Sequence, residues 1–328
     1  MVVDSARQKP QSRKRVGTVL AALILFAVGS FYLSEWFDSR LAVEDFSVSL
    51  NPVLLLLALA LCLLSQLADA LIWRMVLNRQ LIRRPVGFLE IVSILYTSGM
   101  LRYLPGRLWN VITQALWLGK YGVGKAVTLY VNLLCMTGLL FFSLYTGLLY
   151  LAVHGEGWPK GTLFASFVLV LTVNTLFNLY GELLVNVLLR IFSVRLRLEI
   201  APIQFSAGGT TAVQLVYFAS WLLLGAAVYS LAQGLGLPVV AADLLPLLAA
   251  MSLSWLAGLL ALVVPAGMGV REGVMLWLLK PLVAVQTALL LPIVARVLLL
   301  VVDLLLAVVA LFFGWRRQIF TIYGHPDR

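Results

Sequence analysis

The chain is predicted to be an all-α polytopic membrane protein, with about six transmembrane helices and two re-entrant helical hairpins arranged as an inverted repeat. Three observations lead there. Of its 328 residues, 62% are hydrophobic and only 12% are charged, with a mean hydropathy of +1.00, far outside the range of soluble domains. Apolar runs long enough to cross about 30 Å of hydrocarbon recur along the whole sequence. Two further apolar stretches are broken near their middle by proline, glycine and arginine, and irregular backbone at that depth survives only inside protein or beside a watery cavity.

Taken in order, residues 1 to 15 carry Arg7, Lys9, Arg13, Lys14 and Arg15 and read as a basic cytoplasmic tail. Residues 16 to 33 start like a signal peptide but lack a small-x-small cleavage site before the acidic stretch that follows, so the expectation is a retained first span. Further spans are expected at 52 to 73, 126 to 152, 161 to 189, 209 to 233 and 284 to 313. Residues 161 to 192 have the length of one long helix or of two. The interrupted segments are 86 to 119, with Arg102, Pro105, Gly106 and Arg107 at its centre, and 243 to 282, which contains Pro265, Gly267, Gly269, Arg271 and Glu272.

Basic residues set the orientation, because Lys and Arg concentrate on cytoplasmic loops. With the N-terminus inside, the inner segments hold the five tail residues, then Arg74, Arg79, Arg83 and Arg84, Lys120 and Lys125, Arg190, Arg195 and Arg197, and Arg316, Arg317 and Arg328. That is seventeen of the 24 Lys and Arg. The outer segments hold only Arg40, Lys160 and Lys280, and Arg102, Arg107, Arg271 and Arg296 remain at membrane depth. The bias emerges only if each interrupted segment returns to the side it entered from. The organisation expected is therefore a single membrane domain over 16 to 314, with a first repeat at about 52 to 152 and a second at about 209 to 313. Tails at 1 to 15 and 315 to 328 leave both termini cytoplasmic. Trp36, Trp73, Trp158 and Trp315 fall near span ends, as in an aromatic belt.

Several chemistries are excluded. No glycine-rich loop followed by Lys-Ser or Lys-Thr is present, the short loop from Gly119 to Gly124 included, so no ATPase motif exists. His154 and His325 lie outside the apolar core and cannot build a nucleophilic triad. Cys62 and Cys135 sit in apolar runs and read as packing residues, with no disulfide, metal site or cofactor implied. The basic tails suit topology and anionic lipid rather than nucleic acid. Gly138 and Gly147 suit close helix contacts and ordinary packing equally.

The remaining charges define a candidate site. Arginine stays ionised and grips phosphate through paired hydrogen bonds, and helix N-termini released by the two breaks add amide donors. Arg102, Arg107, Arg271, Glu272 and Arg296 are the candidate substrate-binding residues, with Pro105, Gly106, Pro265, Gly267 and Gly269 shaping the backbone. Glu90, Glu182 and Asp303 are candidates for coupling or ion pairing. The plainer reading pairs the charges with one another: Arg296 and Asp303 lie seven residues apart on one helix, and Arg271 and Glu272 each find a partner across the repeat interface. Asp69 and Glu90 also count among the acids that could work at this depth, but the favoured reading places both near the cytoplasmic interface, beside Arg74 and Arg84.

At Leu104, Pro105 and Gly106, and above all from Val264 to Gly273, the chain resembles the flippase-like family defined by the transmembrane region of lysylphosphatidylglycerol synthases. Ala266 stands where that pattern often carries a second glycine. The resemblance covers nearly the whole chain. It implies the lipid-translocating part alone, without the transferase domain that follows it in bifunctional members, and a multi-pass protein of the bacterial cytoplasmic membrane. The implied function is flipping of an anionic lipid, a phospholipid or polyprenyl-phosphate conjugate, through a polar cavity between the hairpins. The alternative is a transferase, or the membrane subunit of a lipid or cell-envelope glycan synthesis complex, working with a partner enzyme.

Overall fold

A computed structural model describes residues 49–79, 85–103, 108–155, 157–196, 207–261, 264 and 267–320, except for some side chains within them, Arg102 and Glu182 included. The described residues form helices and no strand. The expected span at 16 to 33, together with Pro105, Gly106, Arg107 and Pro265, lies outside them.

The helices are α1 (Pro52–Leu77), α2 (Phe88–Gly99), α3 (Leu108–Leu118), α4 (Lys125–His154), α5 (Lys160–Leu196), α6 (Ala207–Gly234), α7 (Leu244–Leu260), α8 (Val270–Leu279) and α9 (Val285–Arg316). Asn51 starts α1 by accepting the amides of Val53 at 3.1 Å and Leu54 at 3.3 Å, and Pro52 fills the first turn, where its missing N–H costs nothing. Six helical segments are long and apolar enough to cross a membrane: Pro52–Leu77, Lys125–His154, Lys160–Gly181, Gly208–Gly234, Ala241–Leu260 and Thr287–Arg316. Five coincide with expected spans. The sixth, built on α7, falls in the segment expected to be the first arm of a hairpin. Residues 161 to 192 belong to a single helix, α5, whose 37 residues reach about 55 Å, longer than the hydrocarbon core.

Both expected interruptions are present. In the first, the 12-residue α2 and the 11-residue α3 measure about 18 Å and 16 Å, and a short 3-10 turn at Met100–Tyr103 follows α2. In the second, α8 has 10 residues, about 15 Å. None of these three helices can cross the hydrocarbon alone.

At the centre α1 lies antiparallel against α6. The amide of Asn51 donates to the carbonyl of Gly234 at 2.8 Å, which brings the start of one helix to the end of the other, and their midpoints meet at Ser65 and Ser220, Oγ to Oγ 3.2 Å. Around this pair, α2 packs on α9, α7 on α4, α3 on α4 and α8 on α9. Small residues permit the approach: a Cβ on Gly138 of α4 would stand 2.7 Å from the Tyr217 ring of α6, and one on Gly234 would stand 2.9 Å from Leu55. Polar pairs tie the helices, with Thr146 of α4 against Ser252 of α7 at 2.9 Å and Gln66 of α1 donating to Asp303 of α9 at 3.1 Å. Helix α5 is peripheral: 6% of its apolar window is buried in protein, against 56% for α4 and for α6. It is anchored by Asn174 to the Tyr145 hydroxyl and by Asn178 to Gln214.

Of the tryptophans expected near span ends, Trp158 and Trp315 are exposed, Trp73 is buried among core side chains, and Trp36 lies outside the described residues. Trp73 lies four residues inside the end of α1 on the face that packs against neighbours, so packing wins over interfacial placement. Cys62 is buried and Cys135 partly buried, and both are free thiols.

Candidate functional site

Between the two central helices lies a cavity of about 210 Å³, lined from α1 by Ser65, Gln66 and Asp69, from α4 by Asn132, Cys135, Met136 and Leu139, from α6 by Tyr217, Ser220, Trp221 and Leu224, and by Trp255, Leu259, Arg271 and Leu299. Each charged residue on its wall owes its position to local backbone.

Arg271 is the second residue of α8, and it projects back toward α7 because the chain entering α8 is turned by two glycines in the left-handed region, Gly267 at φ +67° and Gly269 at φ +78°. Its side chain crosses α7 at Gly258. A Cβ there would stand 2.5 Å from the Arg271 Nε and 2.9 Å from its Cδ, so only glycine leaves the passage open. One turn earlier on α7, Trp255 receives the guanidinium, whose Cζ lies 3.7 Å from the ring centroid. Stacking a cation on indole stabilises it where water is scarce.

Glu272 faces elsewhere. Consecutive helical residues diverge by about 100°, and the Glu272 carboxylate curls back to accept the amide of Gly269 at 2.7 Å, closing the first turn of α8. Its other oxygen lies 3.8 Å from the Arg296 Nε, in a half-buried ion pair with side-chain exposures of 20% and 15%. Glu272 thus serves both the helix start and Arg296 of α9, and Asp303, seven residues and about 10 Å further along α9, receives the amide of Gln66. The crevice shared by Arg271, Glu272 and Arg296 holds about 20 Å³, and Pro292, the proline inside α9, forms part of its wall. Arg271 thus stands between this filled crevice and the larger cavity.

Glu90 caps its own helix, accepting the Gly87 amide at 2.8 Å. Like Glu272 it occupies the third position of a short helix after a glycine, where a carboxylate satisfies an amide the helix cannot.

Asp69 is the residue whose place differs most from expectation. Rather than lying at the cytoplasmic interface beside Arg74, it lines the central cavity, and its Oδ1 is 3.2 Å from the Ser220 hydroxyl. The available signal was that Ser65 and Asp69 stand four residues apart within an apolar run, hence on one helix face. Trp255 and Gly258 were also missed; a tryptophan in mid-run, away from any span end, was their signal.

The site therefore brings together Arg271, Glu272, Arg296, Gly267 and Gly269, with Asp303 one hydrogen bond away through Gln66. Arg102 and Glu182 are on described helical backbone, but their side chains are not described. Among the described residues no group of three or more His, Cys, Asp or Glu could hold a metal. No family model matches the chain, and no curated protein matches it.

Proposed function

We propose that the protein is a lipid flippase of the bacterial cytoplasmic membrane, in which the phosphate-bearing headgroup of an anionic lipid passes through the central cavity while its tails remain in the bilayer. The observation that carries this reading is the cavity itself, an opening near the middle of α1 and α6 with an arginine on its wall. A guanidinium held over the Trp255 ring lines this cavity, and two-point hydrogen bonding to phosphate is what such a group does best.

Alternating access requires two halves that can rock about a shared axis, and the packing supports an inverted repeat. Exchanging α1 to α4 for α6 to α9 maps the contacts onto themselves: α1 meets α6, α2 meets α9 as α7 meets α4, and the short helices α3 and α8 each lie against the long helix that follows. Ser65 and Ser220, in contact at the axis, each stand thirteen residues after the first residue of their helix, Pro52 and Ala207. A re-entrant path for α2 and α3 is supported by the Lys120 ammonium, after α3, donating to the carbonyl of Ile319 at 2.7 Å. Both belong to segments expected on the cytoplasmic side. Partial burial there lowers the Lys120 pKa.

The resemblance of residues 264 to 273 to the flippase-like family points the same way. Proteoliposomes carrying labelled phosphatidylglycerol or polyprenyl phosphate test it: wild-type protein is expected to move one of these lipids between leaflets, Arg271→Ala to abolish movement, and Glu272→Gln to reduce it by loosening α8. Transport at the normal rate by Arg271→Ala removes the proposal. Movement of neither lipid by folded protein favours the synthesis-complex reading.

A further inference from the structure

The cavity that holds Arg271 also holds an acid, and an anionic headgroup entering a space of about 210 Å³ meets both. Two negative charges brought close together where water is scarce repel, so arrival of the phosphate beside the carboxylate favours a change of charge. We propose that Asp69 is a protonation site coupled to phosphate binding at Arg271, so that one proton enters the cavity with each anionic headgroup.

The surroundings of Asp69 suit a group that changes charge. Ser220 has one proton and three acceptors within reach: the Asp69 Oδ1 at 3.2 Å, the Ser65 carbonyl at 3.1 Å and the Ser65 Oγ at 3.2 Å. While Asp69 is ionised, the hydroxyl proton is best placed on the carboxylate, because hydrogen bonds to charged acceptors are the stronger ones. Once Asp69 is protonated, the same proton can turn to the Ser65 carbonyl, and no donor is stranded. The network therefore has a satisfied arrangement in either state.

Among the described residues, titratable and charged groups stand around Asp69 on several helices. Tyr217 faces it from α6, Cys135 from α4 and Arg271 from α8 on the cavity wall, and Asp303 of α9 holds the adjacent Gln66, whose carbonyl accepts the Tyr96 hydroxyl of α2. Arg271, on the same cavity wall, is the positive charge that stabilises the carboxylate. Phosphate on Arg271 removes the group that favours ionisation and adds a negative charge, so its arrival raises the proton affinity of Asp69. By linkage, protonation raises the affinity for phosphate by the same factor. The order of events is balanced: a proton from the aqueous side forms the O–H bond on Asp69, the attraction of Asp69 to Arg271 is released, and the headgroup phosphate takes its place.

This inference rests on the headgroup reading above, and the test separates the two. Binding of dihexanoylphosphatidylglycerol to the purified full chain in maltoside detergent is measured by calorimetry from about pH 5 to pH 9. The wild type is expected to lose affinity about tenfold per pH unit on the alkaline side, the slope for one linked proton, and to take up close to one proton per lipid, read from buffers of different ionisation enthalpy. Asp69→Asn is expected to keep the acid-side affinity at every pH with no proton uptake. Ser220→Ala, which removes a hydrogen bond to the charged form, is expected to move the midpoint to higher pH, a shift that a merely structural residue would not produce. Inorganic phosphate as competitor distinguishes the sources of the phosphate group: weak competition supports a lipid headgroup, and equal potency overturns it. Wild-type binding that is independent of pH, or an Asp69→Asn profile identical to wild type, overturns the coupling while leaving the phosphate site in place. Wild-type protein that binds the lipid at no pH overturns the site itself.

Discussion

Arg271 reaches the cavity only because Gly258 lacks a side chain. A methyl group at that position would overlap the arginine stem, and the stem cannot retreat, since its far end is stacked on Trp255. Gly258→Ala is therefore expected to destabilise the folded protein by about 1–3 kcal/mol through overpacking and to lift the guanidinium off the indole. Thermal unfolding in detergent and the tryptophan emission spectrum report the two effects. An unchanged melting curve with wild-type fluorescence would show that α7 and α8 separate freely, and that Arg271 is not held as described. The division of labour between neighbours also follows from backbone geometry. Glu272 completes the first turn of α8 and meets Arg296, while Arg271, one residue earlier, turns to the opposite wall.

Short helices are the elements on which the architecture depends. The lengths of α2, α3 and α8 leave each unable to cross the hydrocarbon alone, and at the starts of α2 and α8 an N3 glutamate accepts the amides of Gly87 and Gly269. If the interrupted segments return to the side they enter from, single cysteines at Arg79 and Lys120 share one face of the membrane and those at Lys160 and Lys280 share the other. In a background with Cys62 and Cys135 replaced by alanine, membrane-impermeant maleimide on intact cells is expected to label Lys160→Cys and Lys280→Cys, and to label Arg79→Cys and Lys120→Cys only after permeabilisation. Labelling of Lys120→Cys from outside would mean that α2 and α3 together cross the membrane.

On the scale of the molecule, α1 and α6 make the most extensive helix contact, and Ser65 meets Ser220 there. On the proposed function, motion of one half against the other has to slide or open this contact. A Ser65→Cys, Ser220→Cys pair in the same cysteine-free background is expected to form a disulfide on oxidation and to stop lipid movement in proteoliposomes, with recovery on reduction. Full transport by the oxidised protein would place the motion elsewhere, away from the α1 and α6 contact.

Composition and the spacing of apolar runs by themselves determined that the chain is a helical membrane protein, where five of its spans lie, and where two segments break. Those are local properties, since a bilayer asks each segment separately for about 20 apolar residues and satisfied backbone bonds. The same local logic singled out Gly267, Gly269, Arg271 and Glu272. Partnership was beyond it. Which acid meets which arginine depends on how helices far apart in sequence are rotated against one another, and only the packing of α1, α6, α7, α8 and α9 decided that Glu272 meets Arg296, that Arg271 lies on Trp255, and that Asp69 lines the central cavity rather than the interface. A charge in an apolar run announces that it must be satisfied; tertiary structure chooses by what, because the cost of burial is met by whichever group the neighbouring helix brings within reach.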